Sequence, residues 1–158
     1  MKRIIISGFF SILHEGHIDY IRESAKLGDE LYVIVNSDQQ TKLKKSIPTL
    51  DEQERLSIIC ALKNVHYALI SIDEDNSVSE TIKLLHSTFT KNAPNQLIEW
   101  AFVNGGDRSD TKCQNIQEIK VCNNLGIDII GLPDKKKNSS SWIIEKVAKE
   151  WVKRKLDV

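Results

Sequence analysis

Lys2-Arg3-Ile4-Ile5-Ile6-Ser7-Gly8-Phe9-Phe10-Ser11-Ile12-Leu13-His14-Glu15-Gly16-His17 is the stretch from which the fold can be read. The β-branched run from Lys2 to Ser7 stops at Gly8 without polar alternation, which reads as a fully buried strand. Behind it the spacing turns helical, from about Glu15 to Leu27. Ile18, Ile21 and Ala25 share one face, and Gly28 is the stop. His14 and His17, three apart, meet on the first helical turn with Gly16 between them. A glycine there removes a side chain, so a phosphate can come close to the backbone at the helix N-terminus. Two imidazole N–H donors beside backbone amides make a site for triphosphate charge. The plain alternative is two histidines that cap a helix by accident. Their place directly behind a buried strand and its glycine argues against it.

The same alternation repeats along the chain. Leu31 to Val35 is a second strand, closed by Asn36-Ser37-Asp38. Asp51 to Leu62 has helical spacing, with Thr49 or Asp51 as cap. His66 to Ile72 is a third strand and Val78 to His86 a helix. Ile98 to Val103 is a fourth strand running into Asn104-Gly105-Gly106-Asp107. Helix follows from about Lys112 to Leu125, ended by Gly126. Ile127 to Leu132 is a fifth strand, and Ser140 to about Lys155 a closing amphipathic helix. Five strand–helix alternations predict an α/β three-layer sandwich around a five-stranded, mostly parallel sheet. Ligands bind beyond the carboxyl ends of such strands, so the residues just after each strand are the informative ones. Ser87 to Gln96, with Pro94, is a polar loop longer than a compact connection needs. It reads as a lid, a partner surface or a neutral insertion.

Composition narrows the function classes. The 158 residues are 28% charged and 41% hydrophobic, as expected of one soluble globular domain spanning residues 1–158. Lys plus Arg equal 22 and Asp plus Glu equal 22. A nucleic-acid binder normally carries a basic excess, so nucleic acid is not an expected partner. No run approaches the length of a membrane span, and Met1 to Ile6 has no signal-peptide pattern. The expectation is a cytoplasmic protein with no membrane partner. Cys60, Cys113 and Cys122 are too scattered for a disulfide framework or a zinc cluster. Cys60, in an apolar helical pattern, is expected to be a small core residue.

Gly8-x-Phe10 followed by His14-Glu15-Gly16-His17 resembles the HxGH signature of the cytidylyltransferase-like nucleotidyltransferases. The likeness continues through Leu27-Gly28-Asp29-x-Leu31, Val35-Asn36-Ser37-Asp38, Lys44 and Glu54-Arg55. It then includes Asn104-Gly105-Gly106-Asp107 and Ser139-Ser140-Ser141-x-Ile143-Ile144. The motifs stand in family order over almost the whole chain and are similar to those of the glycerol-3-phosphate cytidylyltransferase and heptose adenylyltransferase branches. The resemblance implies a Rossmann-like fold and an enzyme. The phosphate of an acceptor attacks the α-phosphorus of a nucleoside triphosphate, pyrophosphate leaves, and no covalent intermediate forms. Such in-line transfer asks the protein mainly for positioning and charge stabilisation.

By the same resemblance, His14, His17 and Lys44 are the catalytic candidates. Gly8, Phe9, Phe10 and Gly16 would meet the nucleotide from the first strand and helix. Gly106, Asp107 and Arg108 would meet it after the fourth strand, and Lys137, Ser139, Ser140 and Ser141 after the fifth. Ser11, Asn36 and Asp38, with Lys44, would face the acceptor. The nucleotide is CTP or ATP, and the acceptor a sugar phosphate, polyol phosphate or phosphonate. Magnesium would be bound through the triphosphate, since no carboxylate cluster points to a fixed metal site. A homodimer is implied too, and Trp100, Trp142 and Trp151 are many large side chains for a small domain. The alternative is that all three lie in the core.

The chain also departs from the family pattern. Phe9 stands where the family has Thr, Ser11 where it has Asp, Asp134 where it has Arg, and Lys137 where it has Gly. Lys135 to Lys137 could restore the lost charge but not the bidentate fork of a guanidinium, and Arg108 is a second candidate. Ser77-Val78-Ser79 replaces a lysine that holds the acceptor in the glycerol-phosphate branch, which argues against that substrate. These losses leave open a catalytically inactive nucleotide-binding sensor or scaffold module. The retained histidines, Lys44 and serine run argue for an enzyme.

Overall fold

The computed structural model describes residues 1–44, 49–92, 97–105, 116–133 and 139–156. Strand β1 (Lys2–Gly8) lies at the centre of the sheet, with Ile4, Ile5 and Ile6 all fully buried. Successive side chains on a strand point to opposite faces, so this run feeds two cores at once. Ile5 packs on one side with Tyr32, Ile34, Trp100 and Phe102. Ile4 and Ile6 pack on the other with Leu31, Val33, Ala101 and Val103. A strand that is apolar in every position is therefore the signature of the middle layer.

Strands β2 (Glu30–Val35), β3 (Tyr67–Ile70), β4 (Glu99–Asn104) and β5 (Asp128–Gly131) complete the sheet in the order β3-β2-β1-β4-β5. All four pairings are parallel. The register sets Gly8 beside Val35 and Ile5 beside Phe102, so β1 and β2 end at the same level. Helices α1 (Glu15–Ala25) and α3 (Glu52–Cys60) contribute Ile21 and Ile59 to one core. Helices α4 (Ser79–Lys91) and α5 (Ile116–Leu125) contribute Ile82, Leu85, Val121 and Cys122 to the other. The result is the Rossmann-like three-layer α/β arrangement that the alternating pattern predicts. After β3 the chain returns across β1 to β4, and this reversal opens a crevice at the carboxyl ends of β1 and β4.

Several local expectations change. Helix α2 (Asp38–Leu43) occupies a stretch to which the sequence pattern assigned no element. It is short and polar, but Ser37 and Gln40 form a reciprocal capping box that holds its first turn. Helix α4 continues to Lys91, so Ser87–Lys91 is helix rather than the start of a long polar loop. Residues 93–96, including Pro94, lie outside the described residues. Helix α1 ends at Ala25, two residues before the expected Leu27. At Gly28 a Cβ would stand 2.7 Å from the Lys2 carbonyl oxygen, so the missing side chain lets the turn pass close to β1. Cys60 is exposed, a correction to its expected place in the core. Helical phase explains it: Ile59 faces inward, and the next residue turns out. Helix α6 (Ser140–Leu156) closes the described chain. Of the three tryptophans only Trp100 is buried, and Trp142 and Trp151 on α6 are exposed.

Candidate active site

The crevice begins where β1 ends. Gly8 lacks a side chain where one would collide with the Phe10 ring, 2.8 Å from Phe10 Cζ. Phe10 itself has φ 49°, a left-handed conformation that costs a non-glycine residue of the order of 1 kcal/mol. That twist turns the Phe10 ring into the core, where it is 3% exposed and meets the edge of His17 at 5.2 Å. Phe9 stays half-buried at the surface of the same turn. The loop is thus pinned by a ring beneath it.

His14 is the N-cap of α1 rather than a member of its first turn, and its Nδ1 accepts from the Gly16 amide at 3.1 Å. That bond fixes the tautomer: Nδ1 accepts, so the proton sits on Nε2. The Gly16 amide, expected as an open donor, is spent on this bond. The rings of His14 and His17 stack with centroids 3.9 Å apart and planes 26° from parallel. Burial lowers the pKa of His14. Burial and then the facing His14 push His17 down to about 4, with the Ile12 backbone pulling part of the way back. Both imidazoles are neutral near pH 7. In the neutral form each ring keeps a single N–H and carries no positive charge.

A cation stands at the end of α2. Lys44 is its C-cap residue, and its ammonium stands 4.5 Å from the centre of the Phe9 ring. The other residues expected at the acceptor are placed as follows. Ser11 is buried, and its carbonyl accepts from the Thr49 hydroxyl. Asn36 is buried too, its amide nitrogen donating to Gln40 at 2.9 Å. Asp38 is half-buried and paired with Arg55 at 2.7 Å. Asn36 and Asp38 therefore engage the protein's own groups, and of this set only Lys44 is exposed.

Arg55 is the residue whose role the sequence reading missed. It is 2% exposed and donates to the carbonyls of Phe9 and Asn36 at 2.7 Å each, and to Leu50 at 3.3 Å. Together with its Asp38 pair it ties the β1 loop, the end of β2 and the start of α2 to α3. The available signal was a charge four residues before Ile59, on the apolar face of a helix. A buried arginine persists only where every donor finds a partner.

Of the stretches after β4 and β5, Gly105 and the start of α6 are among the described residues. Gly105 opens the turn after β4, and a Cβ there would lie 2.5 Å from the Tyr20 ring. Tyr20 on α1 also donates its hydroxyl to the Val103 carbonyl at 2.6 Å, which joins the histidine helix to that turn. Gly106, Asp107, Arg108 and Lys137 lie outside the described residues, as do Lys135 and Lys136. At the start of α6, the Ser139 hydroxyl accepts from the Trp142 amide at 3.2 Å. The Ser140 hydroxyl donates to the Ile12 carbonyl at 3.3 Å, while Ser141 is exposed. Ser140 is thus brought to the loop that carries His14, while Ser139 caps the helix beside it.

The sequence pattern of the cytidylyltransferase-like family matches residues 5–146. The FAD synthase of Thermoplasma acidophilum is 33% identical over 147 residues, 93% of this chain and 94% of that protein. The FAD synthase of Methanosphaerula palustris is 48% identical over 75 residues, so the match spans about half its length. Among solved structures, the lipopolysaccharide core biosynthesis protein of Thermoplasma volcanium GSS1 superposes with a TM-score of 0.62 at 28% identity. The match covers 87% of this chain and 98% of that one.

Proposed function

The chain belongs to the cytidylyltransferase-like family and is a nucleotidyltransferase, and from that premise we propose that it transfers AMP from ATP to a phosphorylated small molecule. The acceptor's phosphate oxygen attacks the α-phosphorus, the bond to the bridging oxygen breaks, and pyrophosphate leaves. The observation that carries this reading is the stacked His14–His17 pair at the start of α1, immediately behind the central strand. Two neutral donors there would hold phosphate oxygens and meet the charge that builds up in the transition state. Lys44 would supply the cation between the acceptor phosphate and the nucleotide. Ser139 and Ser140 would bond phosphate oxygens from the other side of the crevice. Phe10 and Arg55 would act beneath the site, by holding the loop.

ATP is preferred over CTP because several curated relatives are named FAD synthase, whose product joins AMP to a flavin phosphate. FMN is therefore the first acceptor to test, a class outside the sugar phosphates, polyol phosphates and phosphonates expected from the sequence. The second reading keeps a sugar-phosphate acceptor. It is favoured by the likeness to a lipopolysaccharide core biosynthesis protein. The two separate in one experiment: ATP and CTP are each offered with FMN and with a panel of sugar phosphates, and pyrophosphate release is measured. Rapid release only with ATP and FMN supports the first reading, and release only with a sugar phosphate supports the second. No release with any pair, together with tight nucleotide binding, would return the inactive sensor module.

Magnesium belongs to the same proposal. Among the described residues no group of His, Cys, Asp and Glu is arranged to hold a metal ion. The ion would arrive on the triphosphate, and no step above runs through a protein-held metal. A single domain, a cytoplasmic location and a homodimer complete the proposal. Among the described residues no helix is long and apolar enough to cross a membrane. On α6, Val147, Trp151 and Val152 are more than half exposed. Lys153, Arg154 and Lys155 fill its last turn, with Glu145 and Glu150 nearer its start. An antiparallel second copy would cover the apolar stripe and set these opposite charges against each other.

A further inference from the structure

Phe9 stands at the turn between β1 and α1, where its backbone and its ring do different things. The carbonyl is clamped by the buried Arg55 guanidinium at 2.7 Å. On the next residue, the Phe10 ring is locked under Gly8 and against His17. The loop on either side of the Phe9 Cα is therefore held, and the ring projects as a fixed platform. Lys44 is different. It is exposed at the end of a six-residue helix, and a lysine stem has four rotatable bonds. Yet its ammonium lies 4.5 Å from the centre of that ring, inside the range where an aromatic face attracts a cation.

We propose that Phe9 is a positioning residue for Lys44: the ring face holds the ammonium over the β1 loop before the acceptor phosphate arrives. This inference rests on the role of Lys44 in the proposed reaction. A lysine at this place must give up side-chain freedom when it grips a phosphate. Held by the ring, it has given up part of that freedom in advance, and the gain appears as tighter acceptor binding. The attraction is electrostatic, with the negative face of the ring toward the cation. It therefore depends on ring electronics and not on side-chain volume alone.

The test replaces Phe9 with phenylalanines carrying one, two and three ring fluorines, which preserve shape while draining the face of negative charge. The acceptor KM should climb stepwise, by about two- to fivefold over the series, and by more than the nucleotide KM, since Phe9 also borders the expected nucleotide site. Phe9→Leu should match the trifluoro variant, and Phe9→Trp should restore the wild-type value. In a Lys44→Met background the dependence on fluorine should vanish. A flat series, an equal slope without Lys44, or a parallel rise in nucleotide KM would each overturn the inference. A second readout needs no turnover. In the free protein the Lys44 side-chain protons nearest the ammonium should show an upfield ring-current shift that Phe9→Leu abolishes. That shift with no activity on any acceptor would leave the placement standing and sink the reaction. Activity without the shift would do the reverse.

Discussion

A buried imidazole stacked on a second one is costly to charge, and that cost can be read against pH. The folded pKa of His17 is pushed to about 4 from an ordinary 6.5. The native state therefore refuses a proton that the unfolded chain accepts. Stability from this residue is present in full above pH 6.5 and is lost as pH falls through 4. The loss amounts to about 3 kcal/mol. Denaturant titrations between pH 7 and 4 should show this slope in the wild type and a shallower one in His17→Gln. Function should be more sensitive than stability. His14→Ala and His17→Ala should each lower kcat by about a hundredfold or more, with an unchanged circular dichroism spectrum, and near-normal turnover would remove both from catalysis. The histidine pair was legible because its geometry is local: three residues of helix bring two rings together whatever the rest of the chain does. Arg55 and its four partners were not, since the Phe9 carbonyl lies 46 residues away and is reached only through the sheet order. Cys60 failed for a smaller reason, a helical phase misjudged by one residue.

Among the elements, α2 and α3 form one unit with the β1 loop. Arg55→Met would keep the stem but strip the guanidinium, leaving buried carbonyls of Phe9 and Asn36 unpaired. The expected loss is about 3 kcal/mol in urea unfolding, and Arg55→Lys should recover only part of it because a lysine cannot reach all four acceptors. Helix α2 itself was invisible to periodicity: six residues are too few to show a period, and Gln40, fully buried, hides a polar side chain inside. The Ser37-x-x-Gln40 cap was the readable trace of it. Strands fared better, because an unbroken apolar run admits few alternatives. At the start of α6, Ser140→Ala removes the hydroxyl that bonds the Ile12 carbonyl. Neutralising Lys135, Lys136 and Lys137 together removes the charge that precedes it in sequence. Both should raise the KM for nucleotide more than that for acceptor. Loss of nucleotide affinity in Arg108→Ala alone, with the triple lysine variant binding normally, would move that charge to the turn after β4.

For the molecule as a whole, the proposed homodimer makes α6 the place to cut. Trp151→Glu should shift the sedimentation coefficient from dimer to monomer without loss of helix content, and a wild-type monomer at high micromolar concentration would end the idea. The sheet order has a consequence in time as well as in space. β1 is made before the other four strands, yet it is the middle one, and its partner β4 is made about a hundred residues later. Until then one edge of β1 is unpaired, with Ile4 and Ile5 waiting for neighbours. Pairings so distant along the chain are slow to close. In refolding, the amides of Leu31 to Val35 should gain protection from exchange before those of Ala101 to Val103. Between the making of β1 and that of β4 the nascent chain would then carry its histidine pair on a half-built sheet, a span in which a chaperone has an open strand edge to hold.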